Sequence, residues 1–304
     1  MPNNTVKIKP STGIDTTSFL ESLLLLLKPR VMSLVIFTCA VGYITSNSSI
    51  DTFNAIVGIT LVALGAGAAG CLNMWYDADI DALMTRTCLR PIPSGKIKKN
   101  YAFIYGLVLT FVSVVSLNYF TNTLSALLLL FTILFYILVY TIWLKRKTSQ
   151  NIVIGGAAGA LPPIIGWTIA TNSISIEPIT LFLIIFFWTP SHFWALSLYK
   201  AKDYKKANIP MLPVSDGIEK TKVYIFIYSL TMIPAILFPY FINFAGITYL
   251  IPSVLLTLYY CYICYELMNF KKNKFESKQA KKVFTYSIFY LFLIFVLFLL
   301  DSLI

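Results

Sequence analysis

Charge is what this sequence has least of. Asp, Glu, Lys and Arg make up 12% of its 304 residues, against 58% hydrophobic. With a mean hydropathy of +0.76, that balance excludes a soluble globular class, whose members carry about a quarter charged residues. Ten-residue segments of alternating polarity, the mark of a membrane β-barrel, are also missing. The first 17 residues have neither the apolar core and cleavage site of a secretory signal nor the Arg-rich amphipathic pattern of a transit peptide. A prokaryotic plasma membrane is the expected home. Nothing has the pattern of a nucleic-acid-binding module, so the formal charge of +11 needs another cause.

Cysteine gives no disulfide framework. Cys39, Cys71, Cys261 and Cys264 fall in apolar stretches and Cys88 in a polar one. Cys261 and Cys264 form a CxxC, but their stretch offers no further ligand for zinc, so both read as small packing residues.

What the chain does have is long apolar runs. Nine lie at about 31–46, 54–75, 101–120, 123–144, 150–170, 178–198, 222–242, 246–266 and 283–303, most near the ~20 residues a membrane helix needs. An all-α integral membrane bundle of about nine transmembrane helices is therefore expected, a polar tail (1–20) preceding one membrane domain (21–304). All 24 Lys and Arg fall on one side of that map: four before the first helix, then five, three, six and six in the connections after helices two, four, six and eight. Basic residues stay in cytoplasmic loops, which places the N-terminus inside and makes the +11 topogenic first. The connections after helices two and six hold three acidic residues each, six of the 13 in the chain. Their separation by four spans suggests two similar helical halves, though no sequence repeat joins them.

The connection after helix two carries Asn73, Asp77, Asp79 and Asp81, followed by Arg86 and Arg90. On a helix Asn73, Asp77 and Asp81 share one face, with Asp79 pointing away. An ionised Asp near membrane depth costs about 2.5–3.5 kcal/mol, so something positive should neutralise the three. Carboxylates with an amide oxygen are hard ligands that suit Mg²⁺, which completes its shell with water and substrate phosphate. Arg86 and Arg90 add guanidinium forks for phosphate oxygens. The set reads as a cradle for a Mg²⁺-bound diphosphate, against the plainer reading of an interfacial loop whose acids and bases pair and cap helix ends.

After helix six, Asp203 stands among Lys200, Lys202, Lys205 and Lys206, with Asn208 beyond. Asp203 and Asn208 could add oxygen ligands and the lysines could stabilise a departing diphosphate; alone, the stretch reads as a solvated basic loop ended by Pro210 and Pro213. His192 lies inside the span, where a polar side chain is a candidate for function as an axial ligand to a haem iron or an acid–base group, or else a packed core residue. Pro190 is expected to kink the helix beside it. Lys28 and Arg30, opening helix one, either face the same anionic pocket or anchor topology. Trp75, Tyr76, Trp188, Phe193 and Trp194 either line a pocket for a hydrophobic tail or serve as core.

These motifs resemble the intramembrane prenyltransferases of the UbiA superfamily. The run Asn73-x-x-Tyr76-Asp77-x-Asp79-Ile80-Asp81 with Met84-x-Arg86-Thr87-x-x-Arg90-Pro91 is similar to the haem-farnesylating branch. So are Leu27-Lys28-Pro29-Arg30, Trp188-Thr189-Pro190-x-His192-Phe193-Trp194 and Asp203-Tyr204-x-x-Ala207-Asn208-Ile209-Pro210. The resemblance implies a nine-helix bundle with its site on the cytoplasmic side, farnesyl diphosphate and haem B as substrates, and haem O and diphosphate as products. It implies Mg²⁺ on Asn73, Asp77, Asp81 and Asp203, with Arg86 and Arg90 acting on the diphosphate. Asp79, Lys28, Arg30, Lys200, Lys202, Asn208, His192, Trp194 and Tyr76 are implied in substrate binding, and haem A synthase or oxidase-assembly proteins as partners. Many members carry two acids in the second motif; here Asp203 stands alone, which puts a second fully bound Mg²⁺ in question. The alternatives are a sibling prenyltransferase with a quinone-ring or lipid acceptor and, in a different class, a transporter or non-catalytic oxidase-assembly protein, although the acids cluster at loops rather than midspan.

Overall fold

In hydrocarbon every backbone N–H and C=O must find a partner within the chain, and helices achieve this segment by segment. The computed structural model describes residues 18–48, 51–269 and 275–304, and among them there are helices and no strand. In chain order these are α1 (Phe19–Leu26), α2 (Pro29–Ile44), α3 (Thr52–Tyr76), α4 (Ala78–Leu83), α5 (Lys99–Phe120), α6 (Thr123–Leu134) continuing as a π-helix (Phe135–Leu144), α7 (Asn151–Ala160), α8 (Pro162–Thr171), α9 (Ile176–Tyr199), α10 (Ala201–Lys206), α11 (Leu212–Ser215), α12 (Ile218–Phe241), α13 (Ile247–Asn269) and α14 (Phe275–Asp301). Among the described residues eight elements are long and apolar enough to cross a bilayer, and α1 with α2, bent by 49° at their junction, gives a ninth when the pair is counted as one broken span. The chain is thus a multi-pass membrane protein of the expected class. Most of the polar tail lies outside the described residues, as do Lys271, Lys272 and Lys274 of the last basic connection.

The bend between α1 and α2 sits at Lys28, whose φ of 54° places a non-glycine residue in the left-handed region. Pro29 follows at the first helical position, where its missing N–H costs nothing. α9 runs as one helix from Ile176 to Tyr199 with Pro190 inside it, so the kink expected there does not divide the span.

Without water to drive them together, membrane helices associate through close packing, and small residues let backbones meet. A Cβ on Gly42 of α2 would stand 2.1 Å from the Pro163 carbonyl oxygen of α8, and one on Gly166 of α8 1.9 Å from the Cys39 oxygen of α2. These two helices therefore touch backbone to backbone. The most apolar stretch of α7–α8 is 72% buried, whereas that of α5 is 17% buried and turns Ile104, Phe111 and Tyr119 outward.

Two large apolar cores result. One gathers α2, α3, α5, α6 and α8 around Val62, Leu117, Leu129 and Ile165. The other gathers α9, α12, α13 and α14 around Leu181, Ile236, Tyr260 and Phe295. Cys39, Cys71, Cys261 and Cys264 are buried free thiols within the bundle. At the end of the bundle away from the basic connections, Asp301 of α14 accepts from the backbone N–H of Gly246 (2.6 Å) and of Tyr249 (3.1 Å), capping α13.

Candidate active site

α3 ends at Tyr76, and Asp77 departs from helical geometry with φ −85° and ψ 8°. The backbone bonds nevertheless carry through, from Asp77 N–H to the Asn73 oxygen (2.9 Å) and from Asp81 N–H to the Asp77 oxygen (2.8 Å). The spacing of four is preserved into α4, and Asn73, Asp77 and Asp81 are only 3%, 0% and 3% exposed.

Four cations from three places in the chain line this buried acid row. Lys28 Nζ donates to Asn73 Oδ1 at 2.7 Å. Lys145 Nζ donates to Asp77 Oδ2, and Arg146 lies 3.6 Å from Asp77 Oδ1. Arg90 donates to Asp81 Oδ2 at 2.6 Å. Asn73 Nδ2 completes the network with bonds to Asp77 Oδ2 (2.8 Å) and Thr141 Oγ1 (3.1 Å). Asp79 faces outward, as helical spacing expects. It forms a two-point fork with Arg146, both bonds 2.8 Å. That guanidinium holds the Asp79 carboxyl below its ordinary range and lies 4.9 Å over the Tyr76 ring.

The second acidic stretch folds onto the first. Asp203 of α10, 7% exposed, accepts from Thr85 Oγ1 at 2.6 Å. Arg86, the next residue after Thr85 in the chain, is exposed. Beneath the Thr85–Asp203 link, Ile80 and Met84 of the first stretch pack with Tyr204, Ala207, Ile209 and Met211 of the second and with Ile152 of α7. The two connections form one cap over the buried carboxylates.

Other expected residues lie elsewhere. Arg30 is exposed on α2, so of the Lys-Pro-Arg pair only Lys28 reaches the acids. Lys200 sits 5.6 Å over the Tyr199 ring, and Lys202 is exposed. Asn208 is an exposed residue at φ 52° in the turn that ends α10, a backbone duty that Asn tolerates well. Trp194, two residues from His192, points about 160° away around the helix and packs edge-on against Tyr228 of α12 at 5.3 Å. His192 is 7% exposed and stacks between Trp188 (4.2 Å) and Phe284 (4.7 Å).

Lys145, Arg146 and Thr85 are the residues that sequence reasoning left out. The first two belong to the basic triplet 145–147, which was counted for topology alone. They reach the acids through the π-helix. On an α-helix the nine residues from Tyr136 to Lys145 make about two and a half turns and oppose the two side chains. The wider i→i+5 winding aligns them, with Tyr136 and Tyr140 stacked 5.3 Å apart, and Thr141 donates to the Tyr136 carbonyl while accepting from Asn73. Gly155 makes room, since a Cβ there would lie 2.2 Å from the Tyr140 ring.

The donors suit a hard divalent cation: carboxylate and amide oxygens, with Asp77 Oδ1 buried and accepting no hydrogen bond. Among the described residues, no three Asp, Glu, His or Cys side chains form a metal-holding group; each acid is held by its own cation or hydroxyl instead.

Comparison with known proteins agrees with this architecture. Residues 34–299 match the UbiA prenyltransferase family. The chain is 64% identical to a protoheme IX farnesyltransferase of Pelagibacter ubique over 91% of both proteins. It is 55% identical to the protein of that name from Parvibaculum lavamentivorans, over 74% of this chain and 71% of the relative. Among solved structures, a digeranylgeranylglyceryl phosphate synthase superposes with a TM-score of 0.77 at 20% identity, over 94% of this chain and 99% of that one. A UbiA homolog from Archaeoglobus fulgidus bound to GPP and Mg²⁺ gives 0.67 at 20% identity, over 91% and 99%. With a buried acid row, a cap built from two connections and a family match across nearly the whole bundle, the chain belongs to the UbiA prenyltransferase family.

Proposed function

We propose that this protein transfers the farnesyl group of farnesyl diphosphate to a vinyl group of haem B, with addition of water, giving haem O and diphosphate. The observation that carries the reading is the union of the two acidic connections, Thr85 to Asp203, over carboxylates already matched to cations. The 64% identity to a protein named protoheme IX farnesyltransferase supports the choice of substrates.

Arg90, Lys145, Arg146 and Lys28 ring the acid row, so a diphosphate meets at least four positive groups there. Preorganised cations stabilise charge that develops on a leaving group without reorganising during the reaction. Asn73, Asp77, Asp81 and Asp203 would hold Mg²⁺, which when bound neutralises charge on the leaving diphosphate. The allylic C–O bond breaks, the vinyl terminal carbon bonds to farnesyl C1, and water adds at the adjoining carbon. The Tyr136–Tyr140 stack, on the helix whose Thr141 accepts from Asn73, offers π-faces to the allylic cation, and the Ile80–Met84–Tyr204 cluster shields the site from water until the carbon–carbon bond forms. The reading sets the cap on the cytoplasmic side of a prokaryotic plasma membrane, where the product passes to haem A synthase or oxidase-assembly proteins.

The test is to incubate purified protein with haem B, farnesyl diphosphate and Mg²⁺ and to weigh the products. Haem O should form, and EDTA should stop it. Asp77→Ala and Asp81→Ala should each lower the rate by about 100-fold or more while the protein stays folded. Near-normal haem O synthesis by either variant would refute the site, and a prenylated quinone or lipid in place of haem O would refute the acceptor.

A further inference from the structure

His192 is a buried polar residue that the carboxylate network does not use. Its imidazole faces are covered by Trp188, inclined 19°, and Phe284, inclined 26°. Nδ1 lies 2.6 Å from Ser287 Oγ. That hydroxyl donates to the Phe284 carbonyl at 2.7 Å, which engages its single proton and turns a lone pair toward the ring. Nδ1 therefore carries the imidazole proton, and Nε2 keeps its lone pair. Trp188 Nε1–H donates to the Ser287 carbonyl at 2.8 Å, so the aromatic wall is anchored to the same residue that orients the ring.

An imidazole fixed in orientation, with one nitrogen committed as a donor and the other bare, is how proteins prepare a metal ligand. Its surroundings also connect to the cap. Phe193 meets the imidazole edge-on at 5.1 Å and packs against the Ile80–Met84–Tyr204 cluster. Phe284 meets Tyr199 at 5.9 Å.

We infer that His192 Nε2 ligates the iron of the acceptor porphyrin and so docks haem beneath the cap. The inference rests on the haem acceptor proposed above, and it makes His192 a determinant of acceptor choice, since a quinone ring or a lipid offers that nitrogen no metal.

The test uses the purified full-length protein in detergent, titrated with ferric haem B and followed by Soret absorbance and electron paramagnetic resonance. The wild type should give the spectrum of a nitrogen-ligated haem. His192→Phe, which keeps the aromatic stack, should lose that signature and weaken binding by about tenfold or more. His192→Ala should lose it too and regain it on addition of imidazole. A His192→Phe protein with wild-type spectrum and affinity, while the wild type makes haem O, would overturn the ligation and leave the acceptor standing. A wild type that neither binds haem nor makes haem O would bring down the acceptor assignment together with the ligand.

Discussion

Thr85 and Asp203 are 118 residues apart in the chain and 2.6 Å apart in the fold. The hydroxyl donates to the carboxylate, which ties the connection after the second span to the one after the sixth. Thr85→Val keeps the shape and removes the donor. It should cost about 1 kcal/mol of stability and raise KM for farnesyl diphosphate several-fold, with a smaller effect on kcat. Unchanged kinetics would show that the cap is held by its apolar cluster alone.

Lys145 and Asp77 form the most deeply buried ion pair of the site, with the carboxylate fully covered. Removing one member of such a pair strands the other, at a cost of about 3–5 kcal/mol, whereas removing both charges is much milder. Lys145→Met should therefore lower the melting temperature in detergent, and adding Asp77→Asn should restore most of it without restoring turnover. Additive losses of stability in the double variant would contradict the pairing.

The π-helix makes a third prediction. Deleting Val139, which lies within Phe135–Leu144, lets the segment wind as an α-helix and turns Tyr136 by about 80° relative to Lys145. Farnesyl transfer should collapse while membrane yield holds, and Val139→Ala should be nearly silent. A deletion variant with normal rate would mean that the winding plays no part in catalysis.

Asp79 and Arg146 give a pH dependence with a defined sign. The folded carboxyl is held below its ordinary range, chiefly by its hydrogen bond to Arg146. The stabilisation is thus fully present above the unfolded pKa of about 3.9 and fades as pH falls through the lower folded value. Asp79 is 60% exposed, so the loss should stay under about 1 kcal/mol. Thermal melts of wild type and Asp79→Asn should differ by a constant amount from pH 8 to about pH 5 and converge only below about pH 4.

The spans were legible because an apolar run long enough to cross lipid has few other destinies. The face shared by Asn73, Asp77 and Asp81 was legible because spacing by four survives even the irregular residue at Asp77. Helical periodicity separates Trp194 from His192, which cannot both point at one ligand from a straight helix. What the chain concealed was partnership across space. Lys145 and Arg146 follow the fourth span and look like any topogenic pair until the bundle sets them against Asp77 and Asp79. The π-helix was hidden for a related reason, since its ten residues are uniformly apolar or aromatic apart from Thr141 and show no period of their own. The turn formed by Asn208 looked like a ligand because an amide serves both purposes.

The carboxylate of Asp301 joins the start of α13 to the finish of α14 at the end of the bundle farthest from the acids. It acts as a clasp. The opposite ends of the two helices are already joined through the chain, between Asn269 and Phe275, so the pair is tied at both ends. Without the clasp the two helices would be held together at one end alone.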